Sequence, residues 1–304
     1  METLVVFGKF HKKSSGKKAI SPAISTVIMT GAMVAILSVA LVFANNFLWS
    51  RVAEGDFNSS KQLMHTAGLQ IDDVAWTTGR TETVRYASQY GDVVLESPLL
   101  TYTITVEVDG IPVPYVFSNT TGALLFNLPT SRYSINNGYW ARIFPDQNTS
   151  LTLKGTSAPV ARVFAVEKLP MADGSYIRVV VAPSVRVLFS SINSSKDTVY
   201  ENTRYIRMYL PVLSAGESPR LAESFTLIGE SVKAHTLNDV TGISVAVSFP
   251  QEESPDNFDS EFFNFPANFE ELDVPSIVAP SVKGYQHVVL ELYLSEVSVG
   301  FGVS

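Results

Sequence analysis

The chain has 304 residues, of which 46% are hydrophobic and 17% are charged, and its formal net charge is −7. This composition excludes a disordered chain, and the surplus of acids excludes a general surface for nucleic-acid backbones, which requires clustered cations. Cysteine is absent, so disulfide staples, thiolate metal sites and a cysteine nucleophile are excluded as well.

Residues 1–19 form a basic leader with five lysines and one acid, and residues 20–50 that follow carry no charge. As a helix, this uncharged run measures about 45 Å, whereas the hydrocarbon core of a bilayer is about 30 Å thick. Lysine and arginine are enriched on the cytoplasmic side of membrane spans. The sequence therefore predicts a single-pass membrane protein with a cytoplasmic N-terminus and an extracellular region after Arg51.

The start of the predicted helix is marked by Ser21 and Pro22. Serine is a favoured N-cap, and proline is tolerated at the first helical position because its missing N–H would be unpaired there. The residues that follow are rich in Ala, Gly, Ser and Thr, which allow helices to approach closely in lipid. An alternative interpretation is that these small residues only moderate the hydrophobicity of the helix.

The N-terminal segment contains the pair Lys17-Lys18, the small residue Ala19 and the helix start Ile20-Ser21-Pro22, followed by an uninterrupted apolar run. In this motif it resembles the class III signal peptide of archaeal type IV pilins. The resemblance implies that a prepilin peptidase cuts between Ala19 and Ile20. It also implies that the mature helix packs with copies of itself or with other pilins in the core of a cell-surface filament.

This resemblance is confined to residues 1–50, and two features qualify it. Ile24 stands at the fifth mature position, where bacterial type IV pilins carry glutamate, and this favours the archaeal branch. The outer region is larger than the head of a typical major pilin. The sequence therefore leaves open whether the chain is the major subunit or a minor or adhesive one. Processing would change the net charge to −7 − (5 − 1) = −11.

Two alternatives to pilin processing remain. Val42-Phe43-Ala44 has the spacing of an ordinary signal-peptidase site, although the apolar stretch before it is longer than the roughly 7–15 residues of a cleaved signal. An uncleaved helix would instead anchor a single-span surface adhesin or an envelope-associated binding domain that does not polymerise.

Residues 51–78 predict an amphipathic helical extension. Apolar residues recur there at steps of three, four and seven, namely Phe57, Met64, Ala67, Ile71 and Val74. Gly55 predicts a kink or a break, because glycine costs up to about 1 kcal/mol inside a helix. A short separate helix after a linker is the alternative.

Residues 79–304 predict a β-rich extracellular domain. Its predicted strands are Thr83–Ser88, Asp92–Glu96, Thr101–Val108, Ile111–Phe117, Ala161–Leu169, Ser175–Val181, Ser184–Ser190, Tyr205–Val212, Ser224–Ile228, Ile243–Phe249 and a long closing strand His287–Val299. Asp109-Gly110 predicts a hairpin whose second, proline-bearing strand lies at a sheet edge. The predicted fold is therefore α+β: a long N-terminal transmembrane and amphipathic helix, then a mostly antiparallel β-sandwich-like domain. A split into two domains near Thr149–Ser157 stays open.

Four sequons predict glycosylation sites on an exported protein, although a chain rich in Ser, Thr and Asn carries some by chance: Asn58, Asn119, Asn148 and Asn193. The segment Gln251–Pro275 holds eight acids, no lysine or arginine, and five phenylalanines. A solvated acidic loop pinned by its phenylalanines is the favoured interpretation. Calcium ligation, without the spacing of an EF-hand, and contact with a neighbouring subunit are the alternatives.

Motifs for catalysis are missing from the sequence. It contains no Gly-x-Ser-x-Gly elbow, no His-Glu-x-x-His pair and no phosphate loop, and His65, His235 and His287 are isolated. We therefore predict neither an enzyme nor a cofactor or metal site. The expected partners are membrane lipid, a prepilin peptidase, and other copies of the chain or other pilins, but not nucleic acid.

Overall fold

The computed structural model describes residues 22–135, 139–145, 153–154, 158–167, 176–196, 199–216, 223–248 and 287–302. The chain divides into two compact units, Met1–Trp49 and Ser50–Ser304. The described residues contain one helix, α1 (Pro22–Ala75), and twelve strands: β1 (Thr81–Arg85), β2 (Asp92–Val108), β3 (Tyr115–Pro129), β4 (Trp140–Phe144), β5 (Leu153–Lys154), β6 (Ala161–Glu167), β7 (Tyr176–Pro183), β8 (Arg186–Lys196), β9 (Val199–Ala215), β10 (Ser224–Leu237), β11 (Val240–Ser248) and β12 (His287–Phe301).

Helix α1 is continuous over 54 residues, so the predicted break at Gly55 is wrong. The space around Gly55 is open, and the cost of about 1 kcal/mol for one glycine is small beside the packing of the turns that follow. The helix ends at Ala75, three residues before the predicted bound. Gly79, with a φ of 80°, then turns the chain into β1.

The strands form two six-stranded sheets, which confirms the predicted α+β fold with a mostly antiparallel β-rich domain. Sheet A has the order β1-β10-β12-β9-β8-β5, and sheet B has the order β11-β2-β3-β7-β6-β4. Two pairings are parallel, β9 with β12 and β5 with β8. Strand β12, predicted as a closing strand, lies in the interior of sheet A, where β9 and β10 flank it.

The β2–β3 hairpin differs most from its prediction. The two strands predicted between Asp92 and Val108 are one strand, β2, whose register against β3 shifts between Glu96 and Leu100. The predicted strand Ile111–Phe117 starts too early, because β3 begins only at Tyr115. Its edge position is confirmed for the described strands, since residues 115–121 of β3 pair with β2 alone and β7 pairs with β3 only from Leu124 onward. Prolines 112 and 114 cannot donate to a sheet ladder, so the chain before Tyr115 forms the hairpin loop instead.

The two short strands β4 and β5 were not predicted. Strand β4 lies at the edge of sheet B and pairs only with β6, while β5 pairs with β8 through Leu153 and Lys154. Five and two residues long, they are too short to produce a clear alternating pattern.

Two hydrophobic clusters lie on the two faces of the central strands of sheet B, and both also include residues of sheet A. Alternate residues of β3 enter different clusters: Leu124 and Phe126 join the cluster that contains α1, while Ala123 and Leu125 join the other one. Strands β6 and β7 alternate in the same way, so they are buried on both faces, and their sequences are apolar runs interrupted by Arg162 and Arg178. The predicted apolar stripe of α1 is confirmed, since its members are buried in the cluster of Leu124 and Phe126: Phe57, Met64, Ala67, Ile71 and Val74.

Two arginines are fully buried in sheet B, Arg162 of β6 and Arg178 of β7. Desolvation lowers the pKa of Arg162 to about 9, and the nearby Tyr102 side chain opposes that shift. Tyr102 is itself buried, and its hydroxyl donates to the carbonyl of Pro183 at 2.6 Å. Arg162 is therefore still protonated at neutral pH, and the core of the β-rich unit contains a cation.

Candidate functional site

The first unit carries an exposed apolar surface on α1. Every residue from Ile24 to Trp49 is exposed, and none of them is charged. The large exposed side chains are Ile24, Val27, Ile28, Met29, Met33, Val34, Ile36, Leu37, Val39, Leu41, Val42, Phe43, Phe47, Leu48 and Trp49. Moving one such side chain from water to an apolar environment is favourable by about 1.5–3 kcal/mol, so these side chains favour an apolar environment. We call residues 24–49 the apolar segment.

By length and composition, α1 can cross a membrane. Its most apolar stretch is long enough to span a bilayer, and none of that stretch is buried. The hydroxyls of Thr30 and Ser38 within the apolar segment are satisfied by the helix itself, since Thr30 Oγ1 donates to the Thr26 carbonyl and Ser38 Oγ to the Val34 carbonyl, both at 2.8 Å. Such bonds keep hydroxyl groups paired where no water is present.

The composition of α1 changes after residue 44. The apolar run from Ile24 to Ala44 corresponds to about 31 Å of helix, and the amides of Asn45 and Asn46 come next. Trp49 and Arg51 follow within five residues. Aromatic and basic side chains are enriched where a helix leaves the hydrocarbon core. The order of residue types thus matches one bilayer thickness followed by an interface.

In the second unit, Asp56 joins α1 to the loop between β1 and β2. Its Oδ2 accepts three hydrogen bonds, from Ser88 Oγ at 3.0 Å, Gln89 N at 2.9 Å and Tyr90 N at 3.0 Å. Ser88 Oγ in turn accepts a hydrogen bond from Gly91 N at 2.8 Å. A single carboxylate therefore fixes the loop against the helix, close to the point where the β-rich unit begins.

Replacing Asp56 with alanine is expected to lower the free energy of unfolding of the β-rich unit by about 3 kcal/mol. Hydrogen bonds to a charged group contribute about 1.5–3 kcal/mol each, and water replaces only part of this contribution when the carboxylate is removed. Denaturant unfolding of the full chain in detergent measures this loss. Asp56→Asn keeps an acceptor oxygen and is expected to lose clearly less. Equal stability of the alanine variant and the original chain would contradict the anchoring role.

The last turn of α1 is held by Asp72. Asp72 Oδ2 lies 2.8 Å from Arg186 Nη1, and Asp72 Oδ1 accepts from Trp76 Nε1 at 2.7 Å. The Arg186 side chain is only 11% exposed, and its guanidinium lies 4.9 Å from the ring centroid of Tyr209. These contacts give Asp72 a structural role at the helix end.

The processing residues proposed from the sequence, Lys17, Lys18, Ala19, Ile20 and Ser21, lie outside the described residues. Pro22 is the first described residue of α1. Of the sequons, Asn58 is exposed on α1, Asn119 is half-buried in β3, and Asn193 belongs to β8. Asn148 and the acidic segment Gln251–Pro275 also lie outside the described residues.

The three histidines singled out in the sequence have separate surroundings. His65 lies 4.6 Å from the ring of Phe144, and His235 lies 5.0 Å from that of Phe117. His287 Nδ1 is 2.7 Å from an oxygen of Asp239. Within the described part of the chain, no group of three or more His, Asp or Glu side chains is placed to hold a metal ion.

One surface was missed by sequence reasoning. The residues Ile111–Val116, which we call the hairpin tip, are all apolar and all exposed. The signal for it was the alternation of Pro112 and Pro114 with large apolar residues directly after Asp109-Gly110. The prediction assigned this alternation to a strand from Ile111 onward, whereas β3 begins at Tyr115 and all six residues are exposed.

The apolar segment is therefore the candidate functional site, because it is the described surface that most needs an apolar environment. Comparison of the chain with protein-family models, curated proteins and solved structures yields no match.

Proposed function

We propose that this protein is an archaeal type IV pilin-like subunit. A prepilin peptidase removes residues 1–19, and the mature chain assembles through its N-terminal helix into a cell-surface filament. The observation that carries the proposal is the apolar segment, an uncharged and fully exposed stretch of helix that belongs to the same α1 as the packed residues of the β-rich unit.

Such a helix suits two successive environments. Before assembly, the segment Ile24–Ala44 matches the thickness of a bilayer core, with Asn45 to Trp49 at the outer interface. After assembly, the same apolar side chains pack against neighbouring helices. Small residues such as Gly31, Ala35 and Ser38 permit close helix–helix contact, and the open space around Gly31 leaves room for a neighbour.

The proposed topology follows from the distribution of charge. Five lysines precede the apolar segment, and the chain after residue 50 is acidic overall. The lysine-rich end then lies in the cytoplasm, and the β-rich unit lies outside the cell. This orientation also places the bond between Ala19 and Ile20 on the cytoplasmic side, where a prepilin peptidase acts.

The mature N-terminus tests the proposal. We expect peptide mass spectrometry on membranes of cells that co-express a prepilin peptidase to find a chain that begins at Ile20. Lys18→Glu is expected to leave most of the chain uncleaved and to abolish filaments, whereas Lys9→Glu, which changes charge equally, is expected to be processed normally. Normal filaments from the Lys18→Glu variant would count heavily against the proposal, and a start at Asn45 would identify a secreted protein instead.

A single-span surface adhesin that does not polymerise is the second candidate. The hairpin tip favours a binding role, since an exposed apolar run of this length on a β-rich unit marks an interaction surface. The two candidates differ in two observables: when the peptidase is present, the adhesin keeps its lysine-rich leader intact in the membrane, and it yields no filament.

A further inference from the structure

We propose that sheet B continues from one copy of this chain to the next: the edge of β3 in one subunit pairs with the edge of β11 in its neighbour. The inference rests on the proposed function, because a filament holds its subunits in one common orientation. It concerns backbone contacts between β-rich units and is separate from the contacts made by the apolar segment.

Both edges are open along the same stretch of the sheet. Among the described strands, β11 pairs only with β2, and residues 115–120 of β3 also pair only with β2. Ile243 of β11 and Tyr115 of β3 lie opposite the same β2 residue, Val106, and residues 243–248 stay aligned with this part of β3 along β2. The three strands thus form a patch about 20 Å long with a row of backbone groups on each side that no described strand pairs.

Neither edge carries the devices that usually prevent strand pairing. Proteins protect free edges with charged residues, prolines or bulges. Residues 115–120 and 243–248 contain no charged residue and no proline. The register shift of β11 against β2 lies before this stretch, between Val240 and Gly242. Both edges can therefore accept another strand, with main-chain hydrogen bonds providing the affinity.

The side chains on both edges suit a neighbouring strand. Ser118 of β3 and Ala246 of β11 are small and exposed on the face that points away from the core, called here the outer face, so they leave room for a strand to approach. On the opposite face, Phe117 and Val247 are only half-buried and pack against the cluster that contains Ile104 of β2. A neighbouring strand would bury more of both side chains and extend the apolar cover across the contact.

Strand direction selects the occupant. Strands β11 and β3 are each antiparallel to β2, so they run in the same direction. Copies in one common orientation therefore bring β3 of one and β11 of the next together as parallel strands, and each copy uses both of its edges. Pairing of two β3 edges about a two-fold axis would leave both β11 edges open. Because the two partner edges differ, the contact repeats along a line of subunits and does not close into a dimer.

Cysteine cross-linking tests the pairing, since the chain has no native cysteine. Ser118→Cys is combined in one full-length chain with a cysteine on the outer face of β11. Three variants allow for register shifts of two residues either way: Ser244→Cys, Ala246→Cys and Ser248→Cys. Within one chain the paired positions are at least two strand spacings apart, about 10 Å, which is too far for a disulfide.

After mild oxidation of filaments on cells, we expect one of the three variants to give a ladder of covalent dimers, trimers and longer species. Each single-cysteine chain is expected to stay monomeric on a denaturing gel. The matched control combines Ser118→Cys with Ser59→Cys, an exposed position on α1, and is expected to give at most a trace of cross-linked product.

Lysines on the edges provide a second measurement. Ser118→Lys with Ala246→Lys places like charges on the two strands that meet, and we expect it to lower the yield of sheared filaments about tenfold. The matched control, Thr103→Lys with Thr105→Lys, puts two lysines on β2 between the edges and is expected to leave the yield nearly unchanged. Denaturant unfolding in detergent, expected to be alike for both variants, separates loss of contact from loss of folding.

Filaments that assemble normally but yield no ladder from any of the three variants would overturn the inference and leave the proposed function intact. Dimers from the Ser118→Cys chain alone would overturn it as well, because they indicate contact between two β3 edges. A ladder from a chain that keeps its leader and forms no filament would support the strand pairing and contradict the proposed function.

Discussion

Two aspartates in the middle of the apolar segment, at positions 36 and 37, are expected to remove the chain from the integral membrane fraction. Val, Ile, Leu and Phe each favour insertion at a helix centre by about 0.3–0.6 kcal/mol, so the ten of these residues between Ile24 and Ala44 supply roughly 3–6 kcal/mol. Each aspartate opposes insertion by about 2.5–3.5 kcal/mol. Ile36→Asp combined with Leu37→Asp therefore cancels the driving force for insertion.

Extraction with alkaline carbonate measures this effect, and the double aspartate variant is expected in the supernatant or in aggregates. The matched control is Ile36→Ala with Leu37→Ala, which shortens the same side chains without adding charge and is expected to stay in the membrane. Retention of the aspartate variant in the carbonate-resistant pellet would contradict a membrane-spanning role for this segment.

Replacing Gly229 with alanine is expected to destabilise the β-rich unit by more than about 3 kcal/mol, the scale of backbone strain and overpacking combined. A Cβ at this position would lie 2.3 Å from the Val74 carbonyl oxygen and 2.7 Å from that of Thr77. Both neighbours are backbone atoms at the end of α1, so no side chain can rotate away. Gly229 also exchanges backbone hydrogen bonds with Gly79 and Arg80, at 2.7 and 2.9 Å, which a shift would break.

Thermal and denaturant unfolding of the full chain in detergent measure this loss. Gly55→Ala is the matched control, because the same methyl group is added to α1 where nothing lies within 4 Å. That variant is expected to be stabilised by about 0.5–1 kcal/mol, since alanine favours the helix. Similar effects of the two substitutions would show that the close approach at Gly229 does not limit stability.

The positions of most strands and the packed stripe of α1 could be predicted from the sequence. Both depend on local periodicity, which is written into the order of apolar and polar residues. Phe57, Met64 and Ile71 repeat at seven-residue steps and are all buried. The strands predicted at Tyr205–Val212 and His287–Val299 correspond to β9 and β12, which extend beyond the predicted bounds at both ends of β9 and at the end of β12.

Partner choice between strands could not be predicted. Strand β12 is last in the chain but lies between β9 and β10, and its pairing with β9 is parallel. Nothing in the pattern of one strand specifies which distant strand will lie beside it. The same limit concealed the roles of Asp56 and Arg186, because their partners, Ser88 and Asp72, are 32 and 114 residues away in the sequence.

By itself, the sequence determined the uncharged apolar helix, the basic leader before it and the β-rich character of the remainder, since charge, hydropathy and side-chain period are local properties. Only the tertiary structure decided that α1 continues through Gly55, that Ile111–Pro114 is an exposed loop rather than part of a strand, and that β6 and β7 are buried on both faces. The physical reason is that burial and backbone pairing are set by contacts between distant residues, and these override local preferences of about 1 kcal/mol or less.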